Sequence, residues 1–410
     1  MKTTSPAAPV VFLVLSDVKT RAPPGTAVVY WKRKQDGRLK LINPKKVTWL
    51  ELFYDLIYVA AVSITTHVLA ETHDGLISGD AILKYPLIFI PLWWAWTGFT
   101  VYVNRFGQDN TAQRIVYFIQ MLFVIIMAAN INIDFESYYL FFMLGYVGIR
   151  LSTVFMYVRT WLRHKGAERK VARYLALSFL TGTLISFSSV LFPELVKFYI
   201  LYLGIFLEIV LPLAGRHVLR QMPVHYHHLV ERYGLATIIL LGELILVMVD
   251  TIRHHPITLQ SGFELLLGFI ITVSIWWHYF ESSEKVEQTG DGAGHKVIYG
   301  HLFTFMSLGI VSNVIRYAMS HELALGHFAW LALTGFAMYV LSMMLIFLPF
   351  KNKRGIQTYG LLGYYLAALV LCGTVLLLLP SILTVYMTLT FFFIAHTLIF
   401  VGWLGKKKRA

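Results

Sequence analysis

The stretch Trp49–Ala70 reads WLELFYDLIYVAAVSITTHVLA. A run of this length is what an α-helix needs to cross a bilayer, since about 20 residues rising about 1.5 Å each span the hydrocarbon core. The run nevertheless carries two carboxylates, Glu51 and Asp55. At a spacing of four they lie on one face of the helix. Apolar runs of the same kind recur to the C terminus. The expected spans are 49–70, 81–103, 111–132, 137–159, 171–191, 195–214, 232–250, 261–280, 296–318, 325–349, 357–379 and 382–404. Only Leu379-Pro380-Ser381 separates the last two. The predicted fold is therefore an all-α polytopic membrane protein with about twelve transmembrane helices.

Composition agrees with this. Of 410 residues, 57% are hydrophobic and 14% charged, against about 25% charged in a typical soluble domain. This excludes a disordered chain and a disulfide scaffold. The single Cys372 sits in an apolar run and reads as a small buried residue. The net charge of +13 suggests nucleic acid only in a soluble protein. Sorted by loop, thirty of the 35 basic residues fall at the termini and in alternate loops, including Arg105, Arg114, Arg159, Arg163, Arg216, Arg220 and Arg232. The opposite loops carry Glu71, Asp74, Asp80, Asp134 and Glu136. That asymmetry is the positive-inside pattern. It predicts a multi-pass cell-membrane protein with both termini cytosolic and no nucleic-acid partner.

Residues 1–46 form an extension rich in proline and basic residues. Ala27–Gln35 and Arg38–Ile42 flank Asp36-Gly37, a hairpin-turn dipeptide. Residues 47–225 and 226–410 read as two six-helix halves, the second ending in a basic tail. Three marks recur in order. Glu51-Leu-Phe-Tyr is matched by Glu231-Arg-Tyr-Gly, Trp93-Trp94 by Trp276-Trp277, and Arg114-Ile-Val-Tyr117 by Lys296-Val-Ile-Tyr299. Halves repeated in parallel orientation are related by a pseudo-two-fold axis along the membrane normal, with sites near the midplane between them.

Ionisable residues inside spans are costly unless paired or hydrated, so each is a candidate for a proton, ion or substrate pathway. The set is Glu51, Asp55, Glu208, Glu231, Glu243 and the cation Arg150, expected to pair with one of the acids. Glu243 lies about 18 Å along the helix from Glu231 and so near mid-membrane; Gly242 beside it is expected to admit a neighbouring backbone. His67, His301 and His396 read as packing residues. His225, His227 and His228 read as a solvated loop, and the Trp-rich stretches as interface or packing residues. No spacing indicates a metal site, a cofactor or a catalytic constellation.

The residues Thr48-Trp-Leu-Glu-Leu-Phe-Tyr-Asp55-Leu-Ile-Tyr-Val and Asn104-Arg-Phe resemble motifs of the low-temperature-requirement A family of bacterial membrane proteins. His228-Leu-Val-Glu231-Arg-Tyr-Gly-Leu, Leu241-Gly-Glu243 and Trp276-Trp-His-Tyr-Phe-Glu281 extend the resemblance. It begins near Val47 and covers most of the chain. It implies a membrane architecture with functional acids. Glu281 stands where the family pattern has Asp, and Leu244 where a small polar residue is commoner.

Two halves with acids at corresponding places point to a proton- or cation-coupled secondary transporter, with the bilayer and protons, small ions or solutes as partners. An ion channel of two six-helix units is the alternative, on the aromatic-x-Asp pattern Phe53-Tyr-Asp55. A membrane-embedded sensor or enzyme ranks third. The sequence leaves a homo-oligomer open.

Overall fold

The computed structural model describes residues 11–15, 27–33, 39–42, 45–132, 135–254, 258–283, 294–347 and 381–406, with isolated positions between 363 and 378. The chain divides into two compact units, Met1–Val47 and Thr48–Ala410. In the first, β1 (Val11–Leu15) pairs parallel with β2 (Ala27–Arg33), which pairs antiparallel with β3 (Leu39–Ile42).

The second unit is helical. Its elements are α1 (Trp49–His67), the short strands β4 (Thr72–His73) and β5 (Leu76–Ile77), α2 (Gly79–Phe106), α3 (Thr111–Ala129) and α4 (Phe135–Arg163). There follow α5 (Gly166–Ser188), α6 (Glu194–Ala214), a four-residue α7 (Arg216–Leu219) and α8 (Tyr226–His254). The last are α9 (Leu259–Ser283), α10 (His295–Ser320), α11 (Leu325–Phe347) and α12 (Ile382–Lys406). Among the described residues, eleven helices are long and apolar enough to cross a membrane. The expected span at 357–379 lies outside them apart from isolated positions. Between β4 and β5, Asp74 and Gly75 both take positive φ (51° and 74°), as a tight hairpin with a right-handed strand twist requires.

The helices are built for a bilayer. On α3 the residues Ile115, Phe118, Ile119, Leu122 and Ile125 are exposed, while Gln113, Tyr117 and Gln120 are buried. Apolar side chains face outward, and polar ones find partners inside: Gln120 Nε2 donates to Thr153 Oγ1 at 2.9 Å. This inverts the amphipathicity of a soluble bundle, because lipid leaves no water to satisfy an outward polar group.

Two helices form the centre. In α2 and α10, 83% of the apolar stretch is buried, against 28% in α6. α10 grips α1 and the turn that follows it through main-chain carbonyls: Asn313 Nδ2 donates to Thr66 O at 3.0 Å and Tyr317 Oη to Leu69 O at 2.7 Å. α2 is tied to α10 by Tyr85 Oη donating to Met306 O at 2.8 Å. Elsewhere glycine sets the packing distance. A Cβ built on Gly204 of α6 would lie 2.4 Å from Gly182 O of α5, and one on Gly182 would lie 2.6 Å from Gly204 O. Only glycine at both positions lets the two backbones come this close.

α1 packs on α3 and α3 on α4; α8 packs on α10 and α10 on α11. α1 and α8 also touch each other, and that seam holds the polar cluster described next.

Candidate functional site

α1 begins with a capping box. Thr48 Oγ1 accepts from the Glu51 amide at 3.3 Å, and Glu51 Oε1 accepts from the Thr48 amide at 3.1 Å. The sequence Thr48-Trp-Leu-Glu51 is the signature of this motif. It fixes Glu51 at the helix N terminus, whose dipole favours the anion, and leaves Oε2 directed at α8.

The seam is a match of two i, i+4 pairs. Glu51 and Asp55 on α1 face His228 and Arg232 on α8. Asp55 and Arg232 make a two-pronged ion pair, Nη1 to Oδ2 at 2.6 Å and Nη2 to Oδ1 at 2.7 Å. Arg232 Nε lies 3.4 Å from Glu51 Oε2, and His228 Nε2 lies 3.1 Å from the same oxygen. Trp96 of α2 donates its indole N–H to Asp55 Oδ1 at 2.8 Å. The guanidinium sits 5.6 Å from the ring centres of Trp96 and Phe99. All four ionisable groups are buried.

Asn104 of α2 fixes the state of the imidazole. Its side chain makes a double bond set with the His225 backbone, Nδ2 donating to His225 O and Oδ1 accepting from His225 N, both at 2.9 Å. Nδ2 therefore also faces His228 Nδ1, at 3.1 Å. An amide N–H₂ only donates, so Nδ1 must accept, and the imidazole proton sits on Nε2 toward Glu51. The cluster thus holds two carboxylates, one guanidinium and an imidazole kept neutral.

Farther along the same seam, Ser63 Oγ of α1 donates to Glu243 Oε1 of α8 at 2.8 Å. Both contacts advance in the same direction along both helices, so α1 and α8 run parallel. A cavity of about 20 Å³ lies beside the ion pair, lined by Asp55, Tyr58, Val62, Trp96, Ala236 and Leu240 among others. It has room for about one water.

A second buried pair lies apart from the seam. Arg150 Nε of α4 is 2.6 Å from Glu208 Oε2 of α6. Glu208 also accepts from Tyr146 Oη at 2.8 Å and Thr183 Oγ1 at 2.7 Å. Arg150 and Glu208 are both fully buried.

Of the six expected pathway residues, Glu51, Asp55 and Glu243 lie along the α1–α8 seam, and Arg150 and Glu208 form the separate pair. Glu231 does not join them. It is exposed, because the next residue on a helix is turned by about 100° and the face toward α1 belongs to His228 and Arg232. Three further expectations need correction. Arg232 is a fully buried seam cation rather than a loop charge, and His228 is 1% exposed rather than solvated. Helix α8 starts at Tyr226, before the apolar run begins, and these two polar residues are buried because α1 supplies their partners. Gly242 admits no neighbouring backbone, since a Cβ there would meet nothing within 4 Å. Trp93, Trp94 and Trp96 are buried in the core, whereas Trp276 and Trp277 are 49% and 44% exposed.

His228, Arg232, Asn104 and Trp96 are the residues sequence reading missed. The signal was available for the first two: an i, i+4 basic pair offset by 177 residues from the i, i+4 acidic pair.

A relative from Rhizobium meliloti, an uncharacterized protein, is 25% identical over 328 residues, covering 78% of each chain. No solved structure matches the chain. The family model described as "Bacterial low temperature requirement A protein (LtrA)" matches residues 46–397, a stretch containing the whole seam, and the chain belongs to that family.

Proposed function

We propose that this protein is a secondary transporter coupled to protons or small cations, with the α1–α8 seam as its coupling site. The observation that carries the reading is the charge balance of the seam. Glu51 and Asp55 face one guanidinium, while Asn104 holds His228 in its neutral form. One negative charge is thus unmatched in a buried, low-dielectric place, which is costly unless a proton or cation joins it.

The geometry also supplies two arrangements for the charge. Arg232 is bonded through both Nη atoms to Asp55, while its Nε is already 3.4 Å from Glu51. A proton on Asp55 weakens the two-pronged pair and turns the guanidinium toward Glu51, one helical turn away. Sliding of packed helices between two such pairings is a recognised way to gate a site. Glu243, bonded to Ser63 farther along the seam, is the next carboxylate on the path. In this reading the basic loops and both termini face the cytosol.

The test is purified protein in liposomes carrying a pH-sensitive dye, screened against gradients of small solutes and monovalent cations. Wild-type protein is expected to move protons with a solute or against a cation, and Asp55→Asn to lose that coupling. Unchanged proton-coupled flux in Asp55→Asn overturns the assignment of the seam. Discrete current steps in planar bilayers would replace the transporter with a channel.

A further inference from the structure

We propose that a cavity between α2, α4 and α6 holds one phospholipid with a primary-amine headgroup, its ammonium on Asp80 and Glu136 and an acyl chain along α2 and α6. The proposal does not rest on the transport reading.

The cavity measures about 480 Å³, within the range of ligand sites, about 300–1,000 Å³; the one beside the seam measures about 20 Å³. Its closed end has a cause in the sequence. Pro91 lies inside α2 and has no N–H, so the carbonyl of Leu87, four residues earlier, loses its helical donor. Within a bilayer such a carbonyl has to find another partner. Tyr202 Oη of α6 donates to it at 2.9 Å. Leu87 and Tyr202 both line the cavity, and their bond ties α6 to α2 at its deep end. Nearer the N termini of the two helices, Leu83 and Tyr199 line it and are exposed.

Polarity is graded along the cavity as it is along a phospholipid. Asp80 and Glu136 stand in the first turns of α2 and α4, at the level of the membrane interface. Lys84 follows one turn deeper on α2. Leu87 and Ile88 of α2 and Phe198 of α6 then continue an apolar wall. The eight residues from Asp80 to Ile88 cover about 12 Å, most of one leaflet of a hydrocarbon core about 30 Å thick.

The charges at the mouth select the headgroup. The lining holds two carboxylates, Asp80 and Glu136, and one ammonium, Lys84. Lys84 Nζ lies 2.5 Å from Asp80 Oδ2. Glu136 pairs with Lys197, whose Nζ sits about 5 Å from the ring centres of Tyr139 and Phe198. The two lysine side chains are only 23% and 16% exposed, whereas those of Asp80 and Glu136 are 56% and 62% exposed. Both carboxylates therefore keep oxygens open at the mouth. A primary ammonium brings three N–H donors to such acceptors. Its phosphate, on the same headgroup, meets Lys84, which reaches the interface along its apolar stem. A quaternary ammonium has no N–H to donate, and an anionic headgroup meets the two carboxylates.

The test is native mass spectrometry of the full-length protein in detergent, titrated separately with phosphatidylethanolamine, phosphatidylcholine and phosphatidylglycerol of identical acyl chains. The expected result is one saturable site for phosphatidylethanolamine, at least tenfold tighter than for the other two. Asp80→Asn with Glu136→Gln is expected to weaken that lipid at least tenfold and to bind phosphatidylglycerol at least as tightly as wild type does, since both lysines remain. Leu83→Trp fills the cavity from an exposed wall position and is expected to remove the saturable site for every lipid. Melting of each variant is compared with wild type, and if the double variant does not fold, Leu83→Trp carries the test. Equal binding of the three lipids, an unchanged preference in the double variant, or a saturable site surviving in Leu83→Trp overturns the proposal. Dodecylamine binding more tightly than phosphatidylethanolamine also overturns it, by giving the cavity to a soluble amphipathic amine.

Discussion

Cutting the Asp55–Arg232 pair one side at a time and then from both sides tests whether the seam is a coupled unit. Asp55→Asn keeps a carbonyl oxygen for the Trp96 indole but removes the charge opposite Arg232. The guanidinium, fully buried, is left with Glu51 at 3.4 Å and Thr100 Oγ1 at 3.4 Å. Its contacts with the Trp96 and Phe99 rings are the same before and after, so they offset nothing. Removing one partner of a buried pair costs about 3–5 kcal/mol, and the nearby Glu51 brings the expected loss to about 3 kcal/mol. Arg232→Met leaves Asp55 with the Trp96 donor alone and should cost about as much. The double variant has neither charge unmatched, and apolar replacement of both partners is often near neutral. Its loss should therefore be below about 2 kcal/mol, giving a coupling of roughly 4 kcal/mol in the cycle. Equilibrium unfolding in detergent micelles reads this. At no more than about 2 °C per kcal/mol for a chain of 410 residues, the single variants should melt up to about 6 °C below wild type and the double variant much closer to it. Additive losses, within about 0.5 kcal/mol, would show that the pair is not an energetic unit and would refute the reasoning.

Glu243→Gln retains an acceptor for Ser63 Oγ, so its melting should match wild type within about 0.5 kcal/mol while proton-coupled flux in liposomes falls; loss of fold instead would make Glu243 a packing residue. Asn104→Leu removes the donor that faces His228 Nδ1. Nitrogen NMR of labelled histidine should show an Nε2–H imidazole in wild type and a mixed or charged ring in the variant; an Nδ1–H ring in wild type would contradict the hydrogen-bond argument. Gly204→Ala sets a methyl against Gly182 O, 2.4 Å from its ideal position, and should cost about 1–3 kcal/mol as overpacking. Gly242→Ala, with open space around it, should be neutral or stabilise by up to about 1 kcal/mol, and the contrast between the two is read from the same melts.

Span positions were legible because the bilayer imposes a length and a polarity on each helix, and both are local properties. The run from Trp49 to Ala70 shows its helix, its two acids and their shared face without any partner. Even the capping box is written in Thr48-Trp-Leu-Glu51. The start of α8 was harder. Hydropathy begins the span at Arg232, but the helix begins at Tyr226, because the polar first turns are buried against α1 and not against lipid. The directions in which Glu231 and Gly242 face lie outside the sequence for a related reason. Depth in the membrane follows from sequence position, whereas the direction a side chain faces depends on which neighbour the helix packs against.

What the sequence by itself determined is the family, the membrane class, the apolar spans and the short list of intramembrane charges, since each follows from residue type and spacing along one helix. What only the tertiary structure decided is the pairing: Asp55 with Arg232, Glu51 with His228, Glu243 with Ser63, and Arg150 with Glu208. Those contacts join residues up to about 180 positions apart. A charge in a low-dielectric interior takes its meaning from whatever lies within a few ångströms of it. Here that is set by the parallel packing of α1 on α8 and by the packing of α4 and α6 on α5, neither of which any single helix encodes.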